Sequence, residues 1–525
     1  MVKTEKLSLD SYKRFAKGNR DLIVGCYFVF VCFWISWLVK DSVTFDAEGL
    51  YNKADSPFWY DQWIRLGRWT IYFLKKFMGI TNINPYFANS IILVAFPLSA
   101  LLWSFNIDRW ISNDVPLLKT VFCLMYIIHP VWALQFSYRM HMEVLAIAML
   151  FLPIAVALLT DWLEHGRKSS LVAAFVLTVL SFGAIQSFMI VYCNALALYL
   201  MIILENSEKT ELKTRVRDII RLIVFSIVAL AVWYLLARII CKAKGLPYGH
   251  PYADSQFQWS DRSRKESIKV ILEYIKKSMF GNGSVFTCIY GVSAIIFVVR
   301  SVIRIVRKRG CYILSFLMSL AIVFIPFILE VLTAGYIVLR SQWALVFSLS
   351  IMLAFDLLWI EETVNALKCR FSGRTISVAI MICLLLSQGQ IMTRLLYTDI
   401  HTMEVDLRTF QSIYDRALDE GAGYGYAIYF SDNGKMVPSM LTDSLLEEEV
   451  VGYSYIEYVY THSHGIYDFE KPIQAMRAYG FNVAIPTQEQ IDLAEETAEK
   501  MPVWPEDGSV TVLTEEKLIV VKVGR

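Results

Sequence analysis

Long apolar runs, separated by short charged connections, dominate the chain before residue 395. An α-helix needs about 20 apolar residues to cross the hydrocarbon core of a bilayer, and it satisfies its own backbone hydrogen bonds there. By this criterion we predict about eleven membrane-spanning helices, near residues 21–39, 85–105, 117–134, 142–160, 170–184, 187–204, 219–240, 285–301, 311–330, 341–359 and 375–394. The expected fold is an all-α polytopic membrane protein.

The connection after the first span has the pattern of an amphipathic helix. Between residues 58 and 78, large apolar side chains recur at spacings of three, four and seven, at Trp59, Trp63, Leu66, Phe73 and Phe77. Asp61, Arg65 and Arg68 share another face of the same helix. Such a two-faced helix lies along the membrane surface and does not span it. We therefore predict an interfacial helix over residues 58–78.

The composition changes after Arg394, where the apolar runs end and Asp and Glu become frequent. Helical patterns appear at 403–419 and 487–500, and short β-rich runs at 426–430, 482–485, 509–513 and 517–523. These patterns predict a small α/β domain. We therefore divide the chain into a membrane domain, residues 1–398, and a C-terminal domain, residues 399–525.

Basic residues in the short connections predict the orientation of the spans. They cluster on alternate connections, at Lys13, Arg14, Lys17 and Arg20, at Arg167 and Lys168, at Lys209, Lys213, Arg215 and Arg217, at Arg304, Arg307, Lys308 and Arg309, and at Lys368, Arg370 and Arg374. Short cytoplasmic connections carry such an excess. We expect a cytoplasmic N-terminus and a C-terminal domain outside. The net charge of +2 gives no indication of nucleic-acid binding.

Two carboxylates follow the first span closely, Asp46 and Glu48 in the sequence KDSVTFDAEGLYN. A carboxylate pair just outside the bilayer can supply a general base or hold a cation. Acidic residues near span ends are also common in ordinary solvated loops. The pattern alone leaves both interpretations open.

Ionisable and aromatic side chains also occur within or beside the third and fourth spans, at Tyr138, Arg139, His141 and Glu143. Ionisable groups at membrane depth are costly and often mark functional sites. Arg139 and Glu143 are spaced i, i+4, so they can form a structural ion pair on one helix face. The alternative is that they line a cavity.

Two further polar residues lie at the ends of spans. Gln186 occupies the tight turn at 183–187, where an amide can bind a sugar hydroxyl or close a helix end. Arg340 opens the tenth span and can clamp a phosphate or extend to the interface. The chain has no Gly-rich phosphate loop before a helix, so we expect no site for a soluble nucleotide.

Several short motifs together resemble the Gtr type II glucosyltransferases, bacterial integral-membrane enzymes that modify surface polysaccharides. The motifs are FDAEG at 45–49, IRLGRW at 64–69, the Pro130 to Arg139 segment ending in YR, IQSF at 185–188, Arg340, and the ending DGSVTVL with IVVKV. The likeness is one of motif order across nearly the whole chain. Ile185 and Glu143 stand where the family more often has Tyr and Asp, which bears on the roles of Gln186 and Glu143.

The resemblance implies a GT-C-like transferase that moves a sugar, usually glucose, from a polyprenyl-phosphate carrier to a lipid-linked or surface glycan. Asp46 would be the catalytic base, with Glu48 as its orienter or as an alternate base. The donor phosphate would contact Arg65, Arg68, Arg139 and Arg340. The sugar or acceptor would contact Tyr138, His141, Glu143 and Gln186. We expect no metal ligands and no cofactor. The sequence does not indicate whether the reaction needs a divalent cation.

The expected partners are the donor, the glycan acceptor and the lipid bilayer, with a donor synthase and a donor flippase as further candidates. The expected location is the cytoplasmic membrane of a bacterium, with transfer on the non-cytoplasmic face. Three other functions are compatible with many spans. These are a flippase or transporter of lipid-linked saccharides, a polysaccharide polymerase or ligase, and a membrane anchor for a binding domain.

Overall fold

The computed structural model describes residues 6–40, 47–52, 57–79, 83–111, 114–207, 209–281, 285–306, 311–335, 337–368, 370–431, 451–452, 454–456 and 470–524. Most of these residues form α-helices. The first twelve are α1 Leu9–Gly18, α2 Arg20–Val39, α3 Glu48–Asn52, α4 Pro57–Arg65, α5 Trp69–Met78, α6 Pro85–Trp110, α7 Pro116–Ile128, α8 Val131–Phe136, α9 Met142–His165, α10 Lys168–Phe182, α11 Ser187–Asn206 and α12 Leu212–Ala243.

The remaining helices are α13 Pro251–Ser255, α14 Arg264–Phe280, α15 Ile289–Val306, α16 Tyr312–Phe324, α17 Ile328–Thr333, α18 Trp343–Ala366, α19 Gly373–Asp419, α20 Glu470–Ala478 and α21 Gln488–Ala498. Within the described ranges, nine helical segments are long and apolar enough to cross a membrane. Two further apolar helices, α7 and α10, are shorter, with 13 and 15 residues. The all-α polytopic fold is therefore confirmed.

The helices of the membrane domain enclose one large apolar core. Helix α9 packs between α6 and α10, while α18 packs against α7, α15 and α19. Residues of α18 from Trp343 to Leu357 are buried without interruption. In contrast, α12 exposes many apolar side chains, among them Ile220, Ile227 and Leu235. Apolar surface of this kind is what a bilayer-facing helix presents to lipid.

The predicted interfacial helix over residues 58–78 is two helices, α4 and α5, separated by a turn. Gly67 ends the first helix with φ +75°, a left-handed conformation that glycine adopts at little cost. The Gly67 carbonyl accepts a hydrogen bond from Trp233 Nε1 at 3.1 Å. The periodicity of large side chains continues across the turn, which is why the pattern predicts one helix.

The predicted third span is also interrupted. Helix α7 ends at Ile128, and α8 begins after Pro130. Proline has no backbone N–H and disfavours helical geometry at the residue before it. His129 accordingly has an extended conformation, with ψ 134°. A 3₁₀ turn, Arg139–His141, then leads directly into α9. The irregular backbone therefore places polar side chains at the N-terminal end of α9, which we call the head of α9.

The C-terminal part is a small α/β unit joined to the membrane domain by α19. Its strands are β1 Ala427–Ser431, β2 Val510–Leu513 and β3 Leu518–Lys522. They form a sheet of order β1-β3-β2, in which β1 is parallel and β2 antiparallel to β3. The run at 482–485 contributes an isolated bridge between Ala484 and Ala427. The boundary predicted at 398/399 falls inside the continuous helix α19.

Candidate functional site

His141 is the central residue of a polar cluster at the head of α9. Its side chain is 2% exposed, and its ring meets Trp63 and Tyr138 edge-on at centroid distances of 5.7 Å. Among the described residues, its Nδ1 atom has no hydrogen-bond partner. A buried polar atom without a partner is costly. The ring nitrogen is therefore available to a ligand.

Three cationic side chains lie in the neighbourhood of this imidazole. Arg68, Lys75 and Arg340 each lie close enough to act on His141 electrostatically. Arg340 stacks over the ring of Tyr138, with its guanidinium carbon 5.1 Å from the centroid. Arg68 and Lys75 come from the segment predicted to be interfacial, which comprises α4, α5 and the turn between them (the interfacial segment). Arg340 comes from the turn before α18. Elements distant in sequence thus converge on one positively charged site.

Lys75 forms a buried ion pair with Glu143. The Lys75 Nζ and Glu143 Oε1 atoms are 2.6 Å apart, and both side chains are almost fully buried. A buried charge is tolerated when a partner of opposite charge and further polar contacts compensate for lost hydration. The pair joins α5 to the first turn of α9.

Gln186 connects the interfacial segment to the turn between α10 and α11. Arg68 Nε donates to Gln186 Oε1 at 3.2 Å, and Gln186 Nε2 donates to the Leu66 carbonyl at 2.5 Å. The Thr70 backbone N–H also donates to the Gly183 carbonyl at 2.8 Å. These bonds fix the position of Arg68. Gln186 accordingly acts here through Arg68 and the backbone.

Arg65 lies beside a histidine that the sequence patterns do not single out. Arg65 Nε donates to the Gly249 carbonyl at 3.1 Å, which brings His250 into the neighbourhood of Arg65 and Arg68. Burial lowers the pKa of His250 below its usual 6.5, and the two guanidinium charges lower it further. Asp254 opposes this effect. Burial and the two guanidinium charges thus favour the uncharged imidazole of His250.

Arg139 faces the end of the first span. Its guanidinium stacks on Trp37 at 4.4 Å and donates to Asn89 Oδ1 at 3.2 Å and to the Lys40 carbonyl at 3.1 Å. These contacts differ from those of the cluster around His141. Arg139 thus supports the chain immediately before the segment that carries Asp46.

The two members of the acidic motif differ in what the structure describes. Asp46 lies outside the described residues. Glu48 opens α3, is 2% exposed, and accepts a hydrogen bond from the Tyr455 hydroxyl at 3.0 Å. The next residue, Gly49, packs closely against Trp59 of α4. Glu48 therefore borders the aromatic side of the interfacial segment.

The structure brings most of the predicted site residues together. Those at or beside the cluster are Arg65, Arg68, Tyr138, His141, Glu143, Gln186 and Arg340. Sequence reasoning missed Lys75 and His250. Lys75 lies with Ile71 on the buried face of α5, whereas Phe73 and Phe77 of the predicted apolar stripe are exposed. The stripe therefore indicated the opposite face of the helix. No sequence pattern indicated His250, since its cationic neighbours lie more than 180 residues away in sequence.

The arrangement suits the binding of an anionic group. Guanidinium and ammonium groups stabilise phosphate oxygens, and the surrounding Trp and Tyr rings provide an apolar setting in which such interactions are strong. Within the described ranges, no group of three or more His, Cys, Asp or Glu is arranged to hold a metal ion.

The chain matches the model of a known protein family. The family model described as glucosyl transferase GtrII matches residues 35–385, well over half of the 525 residues. The matched range includes the acidic motif, the interfacial segment, the head of α9 and Arg340. No curated protein and no solved structure matches the chain.

Proposed function

Because the chain belongs to the GtrII family of glucosyl transferases, we propose that it transfers glucose from a polyprenyl-phosphate carrier to a surface or lipid-linked glycan. The reaction would take place on the non-cytoplasmic face of a bacterial cytoplasmic membrane. A separate synthase and a flippase would supply the donor to that face.

One observation supports a polyprenyl-phosphate donor. Arg68, Lys75 and Arg340 converge around a buried histidine at the head of a membrane helix. A lipid-linked donor places its phosphate at the membrane surface, where the interfacial helices α4 and α5 lie in this proposal. Arg65 extends the cationic surface toward His250. A carrier with its tail in the bilayer can reach this position without leaving the membrane.

The proposed chemistry needs a base and a stabilised leaving group. Asp46 takes the proton of the acceptor hydroxyl, whose oxygen forms a bond to the anomeric carbon of glucose. The bond between that carbon and the phosphate oxygen breaks, and the electron pair leaves with polyprenyl phosphate. Arg68 and Arg340 stabilise the additional negative charge, so no general acid is needed. Glu48 orients the acidic motif.

The remaining polar residues of the cluster are proposed to recognise the sugar. His141 offers a buried ring nitrogen, and Tyr138 presents its ring beside Arg340. Gln186 fixes Arg68, and Glu143 fixes Lys75. In this assignment Arg139 supports the backbone near the acidic motif through its bond to the Lys40 carbonyl.

The catalytic base can be tested with a substitution that preserves size. Purified protein in proteoliposomes is supplied with radiolabelled polyprenyl-phosphate glucose and lipid-linked glycans of the host. Asp46→Asn removes the base while keeping a polar side chain, so we expect transfer to fall by at least ~100-fold. Asp10→Asn is the matched control, because Asp10 is exposed on α1.

Each alternative result has a distinct meaning. Equal transfer by wild type and Asp46→Asn would remove Asp46 from the mechanism and favour Glu48. Movement of label across the bilayer without transfer would contradict the transferase proposal in favour of a flippase.

A further inference from the structure

The C-terminal part of the chain contacts the acidic motif directly. The Tyr455 hydroxyl donates to Glu48 Oε2 at 3.0 Å, although the two residues are 407 positions apart. Tyr455 is fully buried, and Glu48 is 2% exposed. A hydrogen bond to a charged acceptor in such a setting is stronger than an exposed neutral one. This contact therefore fixes the carboxylate of Glu48.

Tyr455 is itself held by the extended helix α19. Asp406 accepts hydrogen bonds from the Tyr455 backbone N–H and from Ser454 Oγ, both at 2.6 Å. Asp406 is fully buried. The Ile456 backbone N–H also donates to Ser454 Oγ, at 3.1 Å. The short segment around Tyr455 is thus anchored to a helix that continues into the membrane domain.

Helix α3, which begins with Glu48, packs between the interfacial segment and the C-terminal part. Tyr51 packs against the core of the C-terminal part, and α3 contacts α20. A Cβ atom at Gly49 would lie 2.7 Å from Trp59 Nε1 and 3.7 Å from Gln474 Oε1. Such close packing on both sides leaves α3 little freedom to shift.

We propose that Tyr455 is a positioning residue, and that the C-terminal part serves to hold Glu48 of the acidic motif in its working orientation. This inference rests on the proposed function, in which that motif supplies the catalytic base. It gives the C-terminal part a role in transfer without assigning it a substrate contact. Tyr455 acts through its hydrogen bond to Glu48, so the effects of the two side chains on transfer depend on each other.

The proposal predicts a selective loss of turnover when the hydroxyl is removed. Tyr455→Phe in the full-length protein is expected to lower kcat by about 10-fold and to leave the KM for the donor unchanged. Tyr429→Phe is the matched control, because it removes a tyrosine–glutamate hydrogen bond, to Glu495, at an exposed site in the same domain. Asp406→Asn, which loosens the segment, is expected to reproduce the loss.

A double-mutant cycle distinguishes positioning from general loss of structure. If Tyr455 acts through Glu48, Tyr455→Phe costs much less activity in a Glu48→Gln background than in the wild type. An equal loss in both backgrounds would overturn the proposal, as would unchanged kcat in Tyr455→Phe. Polyprenyl-phosphate glucose and UDP-glucose are tested in parallel. Transfer from UDP-glucose alone would contradict the proposed donor, and the cycle would then be measured with that nucleotide sugar.

Discussion

Individual side chains in the cluster have two kinds of role. Lys75 and Glu143 neutralise each other at 2.6 Å in a buried setting and join α5 to α9. Arg340 instead lies over an aromatic ring, and Arg68 is held by an uncharged amide. The charge of Lys75 is therefore neutralised by Glu143, and we expect Lys75 to contribute little to anion binding.

His250 should make donor binding depend on pH. Its pKa lies below 6.5 in the free protein because of burial and the charges of Arg65 and Arg68. A bound phosphate favours the protonated imidazole and raises this pKa. Donor binding therefore takes up a proton, and the KM for the donor should fall as the pH is lowered from about 8 to about 6. His250→Gln should flatten this part of the profile.

The measurement is the KM for polyprenyl-phosphate glucose across that pH range, with His401→Gln as the control. His401 is a histidine on α19, where it stacks on Tyr397. An identical pH profile in wild type and His250→Gln would remove His250 from the donor site.

The site residues differ in how far they could be predicted from sequence. Arg65, Arg68, His141 and Arg340 were recognisable because charged groups are unusual beside membrane spans. Their partners were not, since the Arg68–Gln186 bond links residues 118 positions apart. Arg139 is also a charged residue beside a membrane span, so the sequence pattern does not separate it from the other arginines. Its stacking on Trp37 and its hydrogen bonds to Asn89 and the Lys40 carbonyl distinguish its surroundings in the structure.

At the level of elements, the turn between α4 and α5 sets the geometry of the site. Arg65 closes α4 and Arg68 precedes α5, so the angle between the helices determines where both guanidinium groups lie. The turn requires the left-handed conformation of Gly67, and it packs against Trp233. Hydrophobic periodicity is insensitive to one glycine, which is why it predicts a single helix here.

A substitution at this turn should affect both stability and the site. A Cβ atom on Gly67 would lie 2.9 Å from Trp233 Cζ2, in addition to the left-handed strain of about 1–2 kcal/mol. Gly79→Ala is the control, because Gly79 is also left-handed, with φ +66°, and has open space around the added atom. We expect Gly67→Ala to lower the apparent Tm more than Gly79→Ala does and to raise the donor KM. Thermal unfolding and steady-state kinetics measure both effects, and equal behaviour of the two variants would contradict this role of the turn.

At the level of the whole molecule, the apolar runs predicted most of the fold. Each predicted span overlaps at least one helix, because membrane crossing requires a long apolar segment whatever its neighbours are. The third span is divided between α7 and α8, and the ninth between α16 and α17. The interruptions at Pro130 and Gly67 were less visible. The helix α20 was not predicted, and α19 continues through the predicted domain boundary. Such features depend on packing between distant segments, which local patterns do not contain.

The proposed orientation can be tested in intact cells. Single cysteines are introduced at Glu515 and at Lys168, both exposed, in a cysteine-free background. If the C-terminal part lies outside, a membrane-impermeant maleimide labels the cysteine at position 515, and the one at 168 reacts only after the membrane is opened. The reverse pattern would contradict the orientation and move the reaction to the cytoplasmic face.

In the proposed function, the cationic cluster binds the phosphate of a lipid-linked glucose donor. Steady-state transfer from polyprenyl-phosphate glucose is the most direct test, with wild type, Arg340→Gln and Arg408→Gln compared. Arg408 is an exposed arginine on α19 and serves as the matched control. We predict that Arg340→Gln lowers kcat/KM by about 100-fold, since it removes a charge-assisted contact to phosphate, while Arg408→Gln matches wild type. Equal kcat/KM for all three proteins would contradict the account.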